Sequence, residues 1–354
     1  MSTSQKALVL QQKQGDFTVA TIPIPGPPGK DELLVKVKAV ALNPADWLIQ
    51  RTGLLVEKYP AVLGFDISGE VVKVGEDEFA SKFKEGDRVA FAAIVQSEYS
   101  GFQQHALAHA DTTCIIPQNI SYDEASTLPV VLSTAYVGLY AEHPRGLGLK
   151  PFTAPGGTGA YAGQAILIIG GSSSVGHSVI QLAKLSGFSH IITTASLKHT
   201  EYLKSFGATH VLNRNLPLDA FLAALMEIEG LPKLEYAYDA IGELESSFRY
   251  ALEAVVPSSS SIVVTVNPRL EHGTLELKGR RVSGFTSEKN SEGNAGLIMD
   301  LFGALPGLLE KGLVKGHRFE VLPRGLAGIP DGLARLERKE ISGLKLVAHP
   351  DETA

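Results

Sequence analysis

Cysteine and tryptophan are the scarcest residues of this chain, which has 354 residues and only one of each. A lone cysteine, Cys114, excludes an intrachain disulfide and any metal site built from several cysteines. Long hydrophobic runs are also missing, and the N-terminus lacks the apolar core of a signal peptide. We therefore expect a cytoplasmic protein that has no membrane partner.

An excess of positive charge is absent as well. The chain has 38 acidic and 32 basic side chains, a net charge of -6 and no long basic run. A nucleic-acid partner is therefore not expected, because nucleic-acid-binding surfaces are basic. Hydrophobic residues make up 44% of the chain, and the mean hydropathy is +0.08. These values suit a globular protein, and the length allows two domains with large cores.

A short aliphatic run followed by small residues is the most informative motif of the chain. Ala165–Ile169 reads as a strand buried on both faces, as in a parallel sheet. Gly170 and Gly171 allow a tight turn, and Gly176 allows the next helix to pack close to the strand. The amides and dipole at a helix N-terminus favour an anion, so the motif predicts a pyrophosphate site. Ser173 replaces the usual middle glycine and can donate to a phosphate oxygen; an ordinary strand–helix turn is the alternative.

Strand and helix patterns alternate after this motif. The alternation comprises strands at 190–194, 210–213, 234–239 and 261–266, and helices at 198–206, 218–228 and 245–255. Such alternation is typical of a doubly wound domain with a mostly parallel sheet. The sequence therefore predicts the α/β fold class for this region.

The end of the second predicted strand indicates which nicotinamide cofactor is used. NAD sites usually have an acidic residue about 20 residues after the glycine turn, where it binds the ribose hydroxyls. The segment 191–199 contains no acid. Instead Ser196, Lys198 and His199 offer hydroxyl, ammonium and imidazole donors for a 2′-phosphate, and Arg214 follows the third strand. Their joint placement favours NADPH over NADH; the alternative is that they are solvated loop residues.

The regions on either side of the α/β segment have a different pattern. Short strands are predicted before it, at 6–10, 18–22, 33–42, 67–74, 88–93 and 114–116. After it, helices are predicted at 295–310 and 327–338, and strands at 317–322 and 345–348. These last strands are too few to form a domain alone. We therefore predict that 294–354 complete a β-rich domain begun by 1–128, and that 129–293 form an inserted nucleotide-binding domain.

Six motifs in order carry a family resemblance that spans nearly the whole chain. They lie at 43–46, 64–72, 86–89, 132–136, 180–184 and 342–347. With the glycine turn, this series resembles the medium-chain dehydrogenase/reductase superfamily. The resemblance implies a GroES-like catalytic domain, a Rossmann cofactor domain and a substrate cleft between them.

The chain departs from the superfamily's alcohol dehydrogenases at the catalytic zinc. Asn43 stands where those enzymes have a zinc-binding cysteine, Phe65 and Asp66 replace His-Glu, and Val130 lies near the third ligand. Zinc prefers thiolate and imidazole ligands, and phenylalanine and valine supply no donor. His105 and His109 are four residues apart, but a strand would not align them as a metal pair. The sequence therefore predicts no metal.

This absence of ligands for a Lewis acid favours hydride transfer to an already polarised double bond. Hydride from the nicotinamide would add to the β-carbon of an α,β-unsaturated carbonyl, and the resulting enolate would take a proton at its α-carbon. The protein then mainly orients the reactants and donates hydrogen bonds to the enolate oxygen. The sequence leaves open two alternatives: an NADPH:quinone oxidoreductase and a non-catalytic NADPH-binding protein.

A closer resemblance is to fungal stand-alone enoyl reductases that act in trans on polyketide synthases. It is carried by the turn at 170–173, by 196–199, by 263–268 and by a Pro/Gly-rich insertion at 143–163. It implies a small-molecule or carrier-bound enoyl substrate and a polyketide synthase as partner, with the reductase itself a monomer or homodimer. The insertion is interpreted as a mobile surface loop or as a substrate lid.

The resemblance also assigns residues to the site. It implies catalytic roles for Asn43 and Thr134, although Thr134 is equally compatible with a structural role at a helix start. No tyrosine or lysine closely follows the Asn-Pro motif, so either water or Tyr59 supplies the proton. The implied cofactor-binding residues are Ala45, Asp46, Trp47, Leu48, Ser133, Gly170, Gly171, Ser172, Ser173, Ser174, Val175, Gly176, Ser196, Lys198, His199, Arg214, Thr265, Val266, Ile341 and Ser342.

Overall fold

A computed structural model describes residues 3–267, 275–284 and 293–354. The chain divides into two compact units. Unit 1 contains Met1–Val130 and Phe302–Ala354, and unit 2 contains Val131–Leu301. The boundaries predicted from the sequence follow residues 128 and 293, whereas the two units divide after residues 130 and 301.

The secondary structure of the described residues is as follows. The strands are β1 (Ser4–Leu10), β2 (Phe17–Pro23), β3 (Glu32–Ala41), β4 (Ala61–Val62), β5 (Asp66–Val74), β6 (Arg88–Ala92), β7 (His105–His109), β8 (Thr113–Ile115), β9 (Ala165–Ile169), β10 (His190–Ala195), β11 (His210–Asn213), β12 (Tyr236–Asp239), β13 (Ile262–Thr265), β14 (Leu275–Leu277), β15 (Arg280–Gly284), β16 (Phe319–Val321) and β17 (Lys345–Ala348). The helices are α1 (Pro44–Thr52), α2 (Tyr122–Ser126), α3 (Pro129–Tyr140), α4 (Ser174–Ser186), α5 (Thr200–Phe206), α6 (Leu218–Met226), α7 (Arg249–Ala254), α8 (Asn294–Glu310) and α9 (Ile329–Glu337).

Unit 1 is built on two β-sheets. The larger sheet has the order β16-β17-β3-β5-β6-β8, with β7 also paired to β3, and the smaller has the order β2-β1-β4. Along β3, Leu33, Val35 and Val37 are buried while the residues between them are partly exposed. This alternation is expected of a strand with one face on a core. The antiparallel pairing of β17 with the end of β3 brings the C-terminal segment into the same sheet.

The lone cysteine lies inside unit 1. Cys114 is on β8, opposite Ala90 of β6, and only 2% of it is exposed. Burial raises the pKa of its thiol to about 12, because an apolar environment disfavours the thiolate. Its thiol therefore stays protonated at physiological pH.

Unit 2 is a doubly wound α/β domain. Its sheet has the order β11-β10-β9-β12-β13-β15-β14, and all neighbouring strands are parallel except β14 and β15. The core packs Leu167, Ile192, Ala237 and Val263 of the central strands against Phe221 of α6. The predicted α/β fold class, with one β-rich unit and one doubly wound unit, is confirmed. No helix of the described residues combines the length and hydrophobicity needed to cross a membrane.

The insertion at 143–163 is a packed part of unit 2. The ring of Tyr161 stacks on Phe188 with centroids 4.9 Å apart, and its amide donates to the carbonyl of Ser186 at 3.0 Å. Phe152 is 8% exposed and packs edge-on against Tyr136. The two contacts of Tyr161 lie at the C-terminal end of α4, whereas the glycine turn lies at its N-terminal end. The predicted alternatives for its role, a mobile surface loop and a substrate lid, stay predictions.

Candidate functional site

The nucleotide turn, defined as residues 170–176, connects β9 to α4. Gly170 adopts a left-handed conformation with φ of 84°, and its amide donates to the hydroxyl of Thr194 on β10 at 3.0 Å. The amide of Gly171 donates to the carbonyl of Thr194, also at 3.0 Å. The turn is thus fixed by the neighbouring strand. The first amides of α4 have no intrahelical partner and can bind an anion.

Two glycines of the nucleotide turn are required by close packing. A Cβ atom on Gly171 would lie 2.1 Å from the hydroxyl oxygen of Thr193, and one on Gly176 would lie 2.3 Å from the carbonyl oxygen of Gly170. Both distances are far below van der Waals contact, so any side chain would displace the turn. Glycines at such positions let the helix pack close to the strand and leave the backbone open to a pyrophosphate, so the turn fits a dinucleotide.

Ser173 acts in the structure as the N-cap of α4. Its hydroxyl oxygen accepts a hydrogen bond from the amide of Gly176 at 3.1 Å, and its hydroxyl donates to the carbonyl of Ala240 at 3.4 Å. The sequence analysis predicts that this hydroxyl donates to a phosphate. Because the hydroxyl already has these two partners, it helps an anion indirectly, by fixing the start of the helix.

The residues predicted to hold the adenosine phosphate lie just after the ends of two neighbouring strands, β10 and β11. The amide of Arg214 donates to the carbonyl of Ala195 at 3.0 Å, which sets Arg214 beside Ser196. Lys198 and Arg214 are exposed, and within the described residues neither makes an ion pair. His199 is only 6% exposed, so it lies beneath this surface instead of on it. The edge therefore presents two cations and a hydroxyl.

An acid that the sequence analysis missed organises the loops after β12 and β13. The Asp239 carboxylate accepts from the amides of Ile241 and Gly242 at 3.1 and 3.2 Å, and from the hydroxyl of Thr265 at 2.8 Å. Burial raises the pKa of Asp239 above its usual value, and these hydrogen bonds oppose that shift. The predicted residue Val266 is tied to the same place, since its amide donates to the carbonyl of Asp239. The signal that points to Asp239 is an acid ending a buried strand, three residues before a glycine.

Two further predicted residues of unit 2 lie on α3. Ser133 is 3% exposed, and Thr134 is partly exposed in the second turn of the helix, so it is not a helix-start residue. The carbonyl of Thr134 accepts from the hydroxyl of Tyr238 on β12 at 2.9 Å. This bond ties α3 to the strand that ends in Asp239. In the predicted segment 263–268, Pro268 lies outside the described residues.

The predicted residue Asn43 of unit 1 belongs to a buried group that we call the Lys345 cluster: Asn43, Asp66, Lys345 and the amide of Val130. The Asn43 side-chain amide donates to the Asp66 carboxylate at 2.8 Å, and its oxygen accepts from the Lys345 ammonium at 3.0 Å. The ammonium also donates to Asp66, whose other oxygen accepts from the Val130 amide at 2.6 Å. Exposure is 5% for Asn43, 0% for Asp66 and 3% for Lys345.

The side chain of Asp46 is hydrogen-bonded to backbone amides of unit 1. Its carboxylate accepts from the backbone amides of Asn43 at 2.7 Å and Gly64 at 3.1 Å, and the residue is fully buried. Burial raises the pKa of Asp46 to about 7, with a further contribution from Asp66. The carboxylate fixes the start of α1 and is not accessible to a ligand.

The other predicted residues of unit 1 are more exposed. Leu48 is 38% exposed, Ala45 is exposed, and Trp47 packs partly against the unit 1 core. The hydroxyl of Tyr59 is buried and has no hydrogen-bond partner among the described residues. Ile341, which also packs against that core, and Ser342 are partly exposed just before β17.

Metal ligands do not converge in the parts of the chain that the structure describes, where no group of three His, Cys, Asp or Glu side chains could hold an ion. His105 and His109 lie at opposite ends of β7. The ring of His109 stacks on Tyr99 with centroids 4.9 Å apart. At the position resembling a zinc site, both Asp66 oxygens are already hydrogen-bonded, and Phe65 offers no donor atom. The side chains present therefore do not fit a zinc ion.

Two family models match the chain. The alcohol dehydrogenase GroES-like domain matches residues 29–143, and the zinc-binding dehydrogenase family matches residues 174–297. Together they cover most of unit 1's N-terminal part and most of unit 2. These two matches agree with the fold that the six motifs predict.

Known proteins are similar over different lengths. A dehydrogenase of Monascus ruber named pigH is 39% identical over 222 residues, which are 60% of this chain and 58% of that protein. The trans-enoyl reductase fsa3 of a Fusarium species is 31% identical over 366 residues, covering 97% of this chain and 98% of the relative. An alcohol dehydrogenase superfamily protein from Novosphingobium aromaticivorans has a crystal structure with a TM-score of 0.76 and 25% identity, covering 97% of this chain and 99% of that one.

Proposed function

The chain belongs to the medium-chain dehydrogenase/reductase superfamily, and from that premise we propose that it is an NADPH-dependent enoyl reductase. It reduces the C=C bond of α,β-unsaturated carbonyl compounds. The observation that carries the proposal is the nucleotide turn together with Lys198 and Arg214, two exposed cations just after the neighbouring strands that make no ion pair within the described part of the chain. The trans-enoyl reductase matched over almost its full length supports the choice of substrate.

The preference for NADPH follows from charge. Lys198 and Arg214 are exposed at the ends of β10 and β11, and the segment 191–199 contains no carboxylate that would repel a phosphate. Their ammonium and guanidinium groups can form charge-assisted hydrogen bonds with the 2′-phosphate. NADH enzymes usually have an acid at this place, where it binds the ribose hydroxyls.

The residues of unit 2 hold and orient the dinucleotide. The amides at the start of α4 bind the pyrophosphate, and Asp239 keeps Thr265 and the turn at Ile241 in place at the nicotinamide end. NADPH, when bound, supplies a hydride to the β-carbon of the substrate. The hydroxyl of Thr134 donates to the carbonyl oxygen, where negative charge develops as the hydride adds.

Water supplies the proton that the α-carbon takes. Tyr59 is the alternative donor, but its hydroxyl is buried. An enolate in a hydrated site is protonated without a dedicated acid. We therefore expect Tyr59→Phe to leave the turnover number nearly unchanged, and a large loss of turnover with intact NADPH affinity would identify Tyr59 as the donor.

The substrate is a carrier-bound or small-molecule enoyl compound, and the reductase acts in trans on a polyketide synthase. The full-length similarity to a trans-enoyl reductase supports this proposal. This proposal is tested by measuring kcat/KM for an enoyl thioester of coenzyme A and for the same acyl group attached to a carrier protein. A higher kcat/KM for the carrier-bound form is expected, and equal values would remove the need for a synthase partner.

The decisive experiment follows NADPH oxidation with 2-alkenals, enoyl thioesters and quinones in turn. With NADPH deuterated at the transferred position, the product of an enoyl thioester should carry deuterium at its β-carbon. Turnover of quinones alone would replace the proposal with a quinone oxidoreductase. NADPH binding without turnover of any of the three would indicate a binding protein.

A further inference from the structure

Helix α3 is buried almost all round, and Thr134 is its one opening. Of residues 131–140, every one of which the structure describes, Thr134 alone is partly exposed and the others are buried. In the proposed function, the hydroxyl of Thr134 donates to the substrate carbonyl. A β-branched side chain in a helix has few χ1 rotamers. The position of this hydroxyl is therefore set by how α3 is held.

The 143–163 insertion caps the C-terminal end of α3. The last carbonyls of a helix have no partner within the helix itself. Here the amide of Leu147 donates to the carbonyl of Gly138 at 2.9 Å, and the amide of Leu149 donates to the carbonyl of Leu139 at 3.1 Å. The backbone of the insertion is thus fixed directly to the end of this helix.

Three aromatic rings join the insertion to the same helix. Phe152 of the insertion packs edge-on against Tyr136 and Tyr140 of α3, with ring centroids 5.9 and 6.1 Å away. Edge-to-face pairs are favourable at centroid distances of about 4.5–7 Å. The hydroxyl oxygens of Tyr136 and Thr153 are hydrogen-bonded at 2.7 Å. Because Tyr136 and Tyr140 are one turn apart on one face, these contacts fix the rotation of α3 about its axis.

The later part of the insertion is attached to α4. The amide of Tyr161 donates to the carbonyl of Ser186 at 3.0 Å. A Cβ atom on Gly187, which follows α4, would lie 2.4 Å from the Cα atom of Gly159, so the two backbones are in direct contact. The hydroxyls of Tyr140 and Ser186 add a direct bond between the helices at 2.6 Å. Since α4 begins at the nucleotide turn, the insertion connects α3 to the helix proposed to bind the pyrophosphate.

We propose that the 143–163 insertion is a rigid brace that positions Thr134 relative to the dinucleotide, with Phe152 as its main positioning residue. This inference rests on the role proposed above for Thr134, and it adds the part of the chain that sets the placement of its hydroxyl. A displacement of about 1 Å can cost about 100-fold in rate. The brace differs from the mobile loop and the lid predicted from the sequence, because both of those roles require the segment to move.

The first test measures amide hydrogen exchange under native conditions and does not depend on the reaction. In the unmodified protein, the amides of Leu147 and Leu149 should exchange as slowly as those of α3. Phe152→Ala should speed exchange in α3 about tenfold or more, because the helix loses two ring contacts. The control is Tyr250→Ala on α7, which should leave exchange in α3 unchanged. Fast exchange at Leu147 and Leu149, or exchange in α3 unaffected by Phe152→Ala, would overturn the proposal.

The second test is a double-mutant cycle on the turnover number. Phe152→Ala should lower kcat about tenfold and raise the isotope effect of deuterated NADPH, while the KM for NADPH changes less than about twofold. In a Thr134→Val background, the same substitution should cost less than about twofold, because the hydroxyl that it positions is gone. Tyr250→Ala should have the same small effect in both backgrounds. Equal losses from Phe152→Ala with and without the Thr134 hydroxyl would show that Phe152 only stabilises the fold, against the proposal.

Smaller changes keep the test valid if Phe152→Ala does not fold. Tyr136→Phe and Thr153→Val each remove one hydroxyl of the bonded pair and keep the three rings. Each should lower kcat about threefold, and the double variant should lower it no further, because the same bond is lost in all three. Additive losses would contradict the brace. If no enoyl compound is turned over, the proposed reaction fails, and the exchange experiment still decides whether the insertion holds α3.

Discussion

The nucleotide turn of unit 2 and the Lys345 cluster of unit 1 are built in opposite ways. The turn is one continuous stretch of small, uncharged residues, and it works through backbone amides held against β10. The cluster joins side chains 23 and 279 residues apart along the chain, and it works through buried charges. Changes in the turn act through shape, whereas changes in the cluster act through charge. The first two predictions below separate these two effects, and the next two extend the comparison to charges nearer the surface of each unit.

Removing the anion of the cluster should give the largest effect. Asp66→Ala leaves the Lys345 ammonium buried without a carboxylate, so we expect the free energy of unfolding to fall by about 3–5 kcal/mol. Denaturant unfolding measures the change. The matched control is Asp351→Ala, which removes the exposed ion pair with Lys36 and should cost about 0–1 kcal/mol. A loss for Asp66→Ala as small as that of the control would remove the distinction between the two regions.

Adding one methyl group to the nucleotide turn should act on both stability and binding. Gly176→Ala places a Cβ atom 2.3 Å from the Gly170 carbonyl oxygen, so we expect about 1–3 kcal/mol of destabilisation. Calorimetry should show NADPH affinity reduced about tenfold or more, because the turn must shift. Gly303→Ala on α8 meets no atom within 4 Å and serves as the control, with unchanged binding. Unchanged NADPH affinity in Gly176→Ala would place the dinucleotide elsewhere.

The charged edge of unit 2 should influence cofactor choice without affecting stability. Lys198→Ala or Arg214→Ala removes one partner of the 2′-phosphate, so the KM for NADPH should rise about tenfold while that for NADH changes little. Steady-state kinetics with both cofactors measures the difference. Lys204→Ala, on an exposed position of α5, is the control. Equal changes for NADPH and NADH would contradict the assigned phosphate site.

A partly exposed cluster in unit 1 should give the smallest effect. The ring nitrogens of His349 lie 2.6 Å from a carboxylate oxygen of Asp123 and 2.8 Å from one of Glu352. The hydrogen bond with Asp123 makes the largest contribution to raising the pKa of His349 to about 9. Since the folded pKa exceeds the unfolded value near 6.5, the stabilisation is complete below about pH 6.5 and disappears as the pH rises through about 9. We expect about 1 kcal/mol after solvent screening. Unfolding measured between about pH 6 and pH 10 should show this loss, and His349→Gln should remove it. A pH profile unchanged by that substitution would show that another group titrates.

The same contrast explains what the sequence predicts and what it does not. The doubly wound order of unit 2 follows from aliphatic strands and alternating helices, which are local patterns. The nucleotide turn is equally local. Helix α1 is not among the predicted elements, although Asn43 followed by Pro44 is a recognisable helix start.

Non-local geometry accounts for the remaining differences. The pairing of Asp66 with Lys345 depends on the register of β3 with β5 and β17, which no short motif encodes. Ser173 is predicted as a phosphate donor, but its hydroxyl donates to the carbonyl of Ala240, 67 positions later, while its oxygen accepts from the Gly176 amide. Tyr161 looks like a loop residue in sequence, yet a stacking partner 27 positions later, Phe188, fixes it.

The buried thiol of unit 1 has a practical consequence. Because Cys114 is 2% exposed and its pKa is raised to about 12, it reacts poorly with maleimides and oxidants. A cysteine introduced at an exposed position would then be the single reactive thiol of the chain. The native sequence is therefore ready to carry one fluorophore or spin label, with no background cysteine to remove first.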